Sequence, residues 1–429
     1  MKVLVLGSGA REHALVWKLA QEHPPGSVIC APGNPGIAKV GRCIPVDIAN
    51  LEAVRSLAVR ESIDLTIVGP EMPLALGIVD MFAKAGLAIF GPTRAAAQLE
   101  SSKAFAKEFM AARSIPTAQY QVYSDAPTAI KAAREGRFGF PVVLKADGLA
   151  GGKGVIIAPD GETAEQAVRS MLIERRFGDA GIQIVMEEYM EGEEASFFAI
   201  CDGRTAWALP ASQDHKRIFD NDRGPNTGGM GAFAPSPCVT PSLKDRIFGE
   251  IIEPVLNGLS EAGTPYRGLL YVGLMLTSTG PKVVEFNVRF GDPETQAVLP
   301  MITGELTPIL LAAANGEMGT PKCAVSTWPH VAVVAASQGY PGSHETGFTI
   351  GGLENVEQMS DVMVFHAGTE QVGDQIKTAG GRVLSVVGRG ETFDVAIAKA
   401  YEAIDQITFT GKHVRRDIGK KALSKSQTS

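Results

Sequence analysis

Within the run KVVEFNVRF (282–290), three polar side chains alternate with apolar ones: Glu285, Asn287 and Arg289. Successive side chains of a strand point to opposite faces, so these three share one face and Val284, Phe286 and Val288 take the other. A carboxylate, an amide oxygen and a guanidinium in line suit a divalent cation and its phosphates. Hard cations take oxygen ligands, and Mg²⁺ typically needs one or two protein groups besides the phosphates. The guanidinium of Arg289 is suited to gripping a phosphate or carboxylate. Asp292 and Glu294 add two carboxylates just beyond. The bland alternative is a solvated strand face, which explains poorly why Asn interrupts a good strand pattern.

A second stretch, VVLKADGLAGGKGVII (142–157), carries Lys145 and Lys153 among Gly148, Gly151, Gly152 and Gly154. Glycine has no Cβ, so backbone N–H groups can approach phosphate oxygens closely. The two lysines supply positive charge for a polyphosphate. Gly154 stands where a Walker loop needs Ser or Thr, and no helical pattern follows. The stretch therefore reads as strand, mobile loop, strand: a flap over a nucleotide, or else a flexible surface hairpin.

Other polar clusters admit two readings each. Residues 3–6 form an apolar run, followed by Gly7-Ser8-Gly9-Ala10 and a helical pattern over 11–21. A helix N-terminus after a glycine turn offers an anion site. Glu12 stands where a dinucleotide fingerprint has its third glycine, which disfavours NAD and leaves room for a smaller phosphate group. The loops at 7–11, 32–36 (Gly33, Asn34) and 69–71 (Glu71) each follow an apolar run. In an open α/β sheet they share one ligand-binding edge; alternatively they are plain turns. His13 reads as a packed or capping histidine. Glu187-Glu188-Tyr189-Met190 and Glu191-Gly192-Glu193-Glu194 make either a solvated turn or a hinge that reads an adenine edge and a ribose hydroxyl. The blocks 212–217 (with Asp214 and Lys216) and 224–231 (with Asn226 and Thr227) hold many donors and little that could fill a core. Long polar loops in compact domains are functional or disordered, and function is favoured here.

The elements that must position these groups follow from length and pattern. At 429 residues the chain is too long for one core. Apolar residues at 45 % and charged residues at 20 % are ordinary for a globular protein. A net charge of −7 gives no global electrostatic case for nucleic acid. The five cysteines are scattered, with no C-x-x-C, so reduced thiols and no zinc site are expected. No stretch reaches the ~20 apolar residues of a membrane span, and a cytoplasmic location is expected. Hairpins are predicted at 196–209 and 269–290, and a helix starts at Ser101-Ser102-Lys103. The last hundred residues carry few clustered polar groups and read as a supporting domain. Their basic tail (Lys412, Arg415, Arg416, Lys420, Lys421) reads as a solvated end.

Seven stretches together carry a resemblance: GSGAREHAL (7–15), APGNPG (31–36), VGPEMPL (68–74), KADGLAGGKGV (145–155), SQDHKR (212–217), GPNTGGMGA (224–232) and EFNVRFGDPETQ (285–296). With FHAGT (365–369) and GGRVL (380–384), they make the chain resemble the glycinamide ribonucleotide synthetases of the ATP-grasp superfamily over essentially its whole length. One departure is Ala10, where the family often has Gly; the backbone N–H survives it.

That resemblance implies a mixed α/β multidomain ATP-grasp fold. It would have an N-terminal open parallel-sheet domain (1–102), a central domain (103–120 and 191–325), a lid carrying the glycine loop (121–190) and a small C-terminal domain (326–429). It also implies a carboxylate–amine ligase acting on ATP, glycine and 5-phosphoribosylamine, with Mg²⁺ or Mn²⁺. A monomer without nucleic acid or membrane partners is expected. By the same resemblance, Lys103, Lys145, Gly148, Gly151, Gly152, Lys153 and Gly154 hold the ATP phosphates. Glu187, Glu188, Tyr189 and Met190 seat the adenine, and Glu193 or Glu194 the ribose. Glu285 and Asn287 bind the metal. Arg289, with Lys145 and Asp214, takes catalytic roles. Gly9, Gly33, Asn34, Glu71, Asp214, Lys216, Asn226, Thr227, Arg289 and Asp292 form the acceptor side. The rivals are an ATP-grasp enzyme with another acceptor, a nucleotide-sensing protein without turnover, and an NAD oxidoreductase.

Overall fold

The computed structural model describes residues 1–149 and 154–426. Gly151, Gly152 and Lys153 lie outside the described residues. The first hundred residues form a five-stranded parallel sheet, in the order Arg42–Cys43, Val28–Pro32, Val3–Gly7, Leu65–Val68, Ile89–Phe90. Val3 to Leu6 are fully buried, as expected of a parallel strand covered on both faces. The chain leaves this central strand with one neighbour wound on each side, so the three turns after it emerge together. Gly33 N–H donates to the Gly7 carbonyl (3.1 Å) and Gly69 N–H to that of Leu6 (3.0 Å). The Asn34 amide donates to Ser8 O at 2.8 Å.

Glu12 explains why the first turn is not a dinucleotide site. Its carboxylate accepts the Gly9 N–H at 2.6 Å, filling the helix N-terminus where a pyrophosphate would lie. A Cβ at Gly69 would fall 2.1 Å from Glu12 Oε1, so glycine is required there. The anion at this helix end is the chain's own.

Three larger sheets follow among the described residues, besides three two-stranded ones. A central antiparallel sheet runs Ala206–Ala208, Glu193–Asp202, Arg267–Thr277, Gly280–Asn287. The lid is a four-stranded antiparallel sheet, Tyr120–Tyr123, Ile184–Glu188, Val142–Ala146, Val155–Ala158, with helices Ala126–Arg134 and Gly161–Val168 packed on it. The last sheet crosses the division expected at residue 326. It places Gln213–Asp214 and Gly231–Ala234 beside His330–Ser337, Arg382–Arg389 and Val362–His366. Antiparallel pairing needs only matched edges, not nearness in sequence, so the polar block around Asp214 is held by the C-terminal strands.

The C-terminal strands also lock onto the first helix, Ala10–Ala20. His366 N–H donates to His13 Nδ1 (2.8 Å), and the Asn34 amide donates to His366 O (2.8 Å). His13 is thus a packed histidine; burial holds it neutral, pushing its pKa down to about 3.

One expectation fails outright. Arg415 of the basic tail is not solvated but has no exposed surface. A buried guanidinium needs partners for its donors, and it finds them in Asp417, Asp222 and the Arg217 carbonyl.

Candidate active site

A cavity of about 410 Å³ opens where the N-terminal sheet, the lid, the central sheet and the C-terminal sheet meet. Its floor is the end of strand Gly280–Asn287. The alternation expected there breaks once. Gly273 pairs with Glu285 but Leu274 with Val283, leaving Val284 as a bulge. A bulge adds one residue and re-aims the strand. Val283 therefore enters the core, while Val284 faces the cavity and its carbonyl accepts Lys145 Nζ at 3.0 Å. The strand ends at Asn287 rather than 290, yet Glu285, Asn287 and Arg289 all line the cavity.

On one wall stand lysines. Lys103 opens helix Lys103–Ala112, whose N-cap Ser102 accepts Phe105 N–H (3.1 Å). Lys107, one turn on, shares its face. Lys145 comes from the lid strand, and Glu187 pairs with both Lys145 and Lys107. Burial opposes the charge on Glu187, but the two lysines hold its pKa below the usual carboxylate range. Burial also lowers Lys107 to about 8, against the pull of Glu187. Lys103 is lowered too, by burial first. A basic wall depleted of solvent suits a polyphosphate: each phosphate oxygen would meet cations that water screens weakly.

Arg289 lies across the floor. It donates to Glu71 (3.3 Å) and Asn287 Oδ1 (3.1 Å), and pairs with Glu100 at 2.9 Å. Burial would weaken its charge, but Glu100 and Glu71 hold it firmly protonated. Glu100 is buried on its own side, which raises its pKa despite Arg289.

The opposite wall carries Asp214, Lys216 and Thr227. Lys216 Nζ lies 3.7 Å from Asp214 and 2.5 Å from Glu194. Burial pushes Asp214 up to about 7; Lys216 opposes this and Glu294, Glu194 and Glu285 reinforce it. Thr227 Oγ1 donates to the Lys216 carbonyl at 2.8 Å, closing the base of the loop. Asp292 is fixed by Arg382 (3.1 Å) and Gln296 (2.7 Å). Arg382, in turn, donates to the carbonyls of Gly228 (2.5 Å) and Asp292 (2.9 Å).

Several residues named from sequence do not line this cavity. Gly9 is engaged by Glu12. Gly33 packs on Cys43, where a Cβ would fall 2.3 Å from its Sγ. Asn34 spends its amide on Ser8 and His366 and its oxygen on Ile37 N–H. A Cβ at Gly148 would meet Ala180 at 2.8 Å. Glu187 reaches the wall only through its lysines. Glu188 N–H is taken by Gln119 O (3.0 Å), and Tyr189 is exposed. Met190, Glu193 and Glu194 lie outside the lining, Glu193 accepting Cys238 Sγ at 2.8 Å. Asn226 lines a separate groove with Arg217 and Tyr340. Conversely, Arg11, Glu100, Lys107 and Arg382 line the cavity without having been singled out. Lys107 alone left a local signal, its four-residue spacing from Lys103.

The donor set fits a Mg²⁺–nucleotide. Among the described residues no cluster of three or more His, Cys, Asp or Glu could cage a metal unaided. Glu285 and Asn287 offer two hard oxygens, leaving the remaining positions to phosphates and water, which is how Mg²⁺ is usually held.

Residues 1–100 match the phosphoribosylglycinamide synthetase N domain, 101–295 its ATP-grasp (A) domain and 330–421 its C domain. The phosphoribosylamine–glycine ligase of Allochromatium vinosum is 50 % identical over 431 residues, covering all of both chains. That of Vibrio cholerae is 46 % identical, also covering all of both. The crystal structure of phosphoribosylamine–glycine ligase from Thermotoga maritima superposes with a TM-score of 0.85 at 32 % identity, over 97 % of this chain and 100 % of the other. The biotin carboxylase domain of Hydrogenobacter thermophilus 2-oxoglutarate carboxylase, in complex with MgADP, shares the fold. Its TM-score is 0.72 at 19 % identity, covering 96 % of this chain and 91 % of that one. The likeness spans every sheet that borders the cavity, so the chain is an ATP-grasp protein and belongs to the phosphoribosylglycinamide synthetase family.

Proposed function

We propose that the chain joins glycine to 5-phosphoribosylamine, with ATP, giving glycinamide ribonucleotide, ADP and phosphate. The observation that carries this reading is the meeting of a lysine wall and the Asp214–Lys216–Thr227 wall across one floor of Glu285, Asn287 and Arg289. In the first step the glycine carboxylate attacks the γ-phosphorus and ADP leaves, giving glycyl phosphate. In the second, the amine of phosphoribosylamine attacks the glycyl carbonyl, the C–O bond to phosphate breaks and the amine loses a proton. No side-chain nucleophile is needed; the protein positions the reactants and stabilises charge.

Lys103 and Lys145 hold the β- and γ-phosphates. Mg²⁺ or Mn²⁺, held by Glu285 and Asn287, supplies charge neutralisation at the phosphoryl oxygens when bound. Arg289 stabilises the transferring phosphoryl group and the acyl phosphate. Glu71, Thr227 and Asp292 border the acceptor, and Lys216 orients its carboxylate neighbour. Asp214 accepts the amine proton. No described helix is long and apolar enough to cross a membrane, and the enzyme is proposed to act as a cytoplasmic monomer on small molecules.

The deciding assay is ADP release with Mg-ATP, glycine and freshly generated phosphoribosylamine. Turnover that needs both co-substrates is expected; turnover with a different amine acceptor would keep the phosphoryl chemistry and overturn the acceptor. The same assay tests Asp214. A carboxylate with pKa near 7 is protonated and inert as a base below that pH and charged above it. kcat/KM for phosphoribosylamine should therefore rise with pH along a limb near 7. Asp214→Asn should remove that limb and lower the rate about 10²–10⁴-fold. An unchanged limb in the variant would assign it to another group.

A further inference from the structure

The hairpin formed by Arg217–Phe219 and Arg223–Asn226 begins directly after Lys216 and ends directly before Thr227. At its tip Asn221 and Asp222 both adopt left-handed backbone, with φ of 58° and 50°. Asn and Asp take that conformation readily in hairpin turns. The C-terminal segment grips the turn from outside. Asp417 accepts Asn221 N–H (2.8 Å), and Asp220 accepts Arg416 N–H (2.8 Å). His413 Nε2 lies 2.9 Å from the Ile218 carbonyl.

Arg415 ties these contacts together. Its Nε and Nη2 grip both oxygens of Asp417, at 2.8 and 2.7 Å. Its Nη1 donates to the Arg217 carbonyl (2.9 Å) and to Asp222 Oδ1 (3.0 Å). Only the planar fork of a guanidinium serves a bidentate carboxylate and a backbone carbonyl at once. The carbonyl it fixes belongs to the residue after Lys216, and Thr227 clamps Lys216 from the other side. Two residues of the cavity wall are thus set from outside the cavity.

We propose that Arg415 is a positioning residue for the acceptor side of the active site. It holds the 217–226 hairpin so that Asp214 and Lys216 project into the cavity. It touches no substrate and acts through the hairpin alone. This inference rests on the function proposed above and extends it, giving the C-terminal domain a part in acceptor binding.

The test measures steady-state turnover of the full-length enzyme for Arg415→Met, Arg415→Lys and Asp222→Asn beside the wild type. A displaced wall should raise KM for phosphoribosylamine about 10- to 100-fold in Arg415→Met, by analogy with the loss of an outer partner of a metal ligand. KM for ATP and the affinity for ATP alone should stay within about twofold, because the lysine wall is untouched. Arg415→Lys should keep only part of the effect's cause and fall between. Asp222→Asn, at a half-exposed tip, leaves the buried pair with Asp417 intact and guards against loss of folding; it should shift the same KM in the same direction. In a double variant with Lys216→Met, the Arg415→Met loss should largely vanish, since both act on one wall. Equal losses for ATP and acceptor, unchanged KM values in Arg415→Lys and Asp222→Asn, or full additivity with Lys216→Met would each overturn the proposal. A wild type without turnover on glycine and phosphoribosylamine would instead overturn the function, and this inference with it.

Discussion

Glu285→Ala is expected to lower turnover by about 10²–10³-fold or more, the loss that follows removal of one preorganised electrostatic group from a transition state. Glu285 is the only carboxylate on the strand face that also carries Asn287 and Arg289. On the proposed site its loss would leave a bound cation one neutral amide oxygen, while the phosphoryl group in flight would still spread negative charge over its oxygens. Nucleotide affinity should fall far less, because Lys103 and Lys145 remain. Raising the Mg²⁺ concentration should recover part of the rate. Turnover near the wild-type value at ordinary Mg²⁺ would remove Glu285 from the metal site.

Arg289→Met should be damaging in two separable ways. Its guanidinium is the cation for Glu100, which is buried and already strained by that burial, and for Glu71. Removing one partner of a buried pair costs about 3–5 kcal/mol, a large part of the roughly 5–15 kcal/mol that holds a domain folded. A marked drop in the denaturant midpoint is therefore expected. Glu100→Gln in the same chain should restore much of the midpoint, since no uncompensated charge remains. It should not restore turnover, because the group facing the phosphoryl transfer is still missing. If Glu100→Gln rescued both, Arg289 would be structural only.

How legible all this was in the sequence depended on whether a signal was local. Parallel strands at 3–7 and 65–68 announce themselves as largely apolar runs that end at a glycine, because a buried strand has two apolar faces. Glu285, Asn287 and Arg289 were visible because polar residues at period two break an apolar pattern. The bulge at Val284 was not, since it depends on how Arg267–Thr277 pairs with its neighbour. Arg382 and Arg415 escaped for a related reason. Arg382 follows two glycines and Arg415 stands in a basic run, and whether such an arginine is solvated or buried among carboxylates is decided by segments far away in sequence. Gly33 and Asn34 stand apart from the cavity. Their turn chemistry is conspicuous, and in this structure their contacts are with Cys43, Ser8 and His366.

The sheet shared between Gly231–Ala234 and His330–Ser337 also sets a clock. Gly231 pairs with Val333, about a hundred residues later. At roughly 5–20 residues per second of synthesis, the strand that anchors Asp214 waits several seconds for its partner, and the 217–226 hairpin waits longer still for Arg415. The parallel sheet and the lid can close while the chain is still growing; the acceptor wall cannot. On the roles proposed above, the acceptor wall is therefore the last part of the cavity whose partner segments are all synthesised.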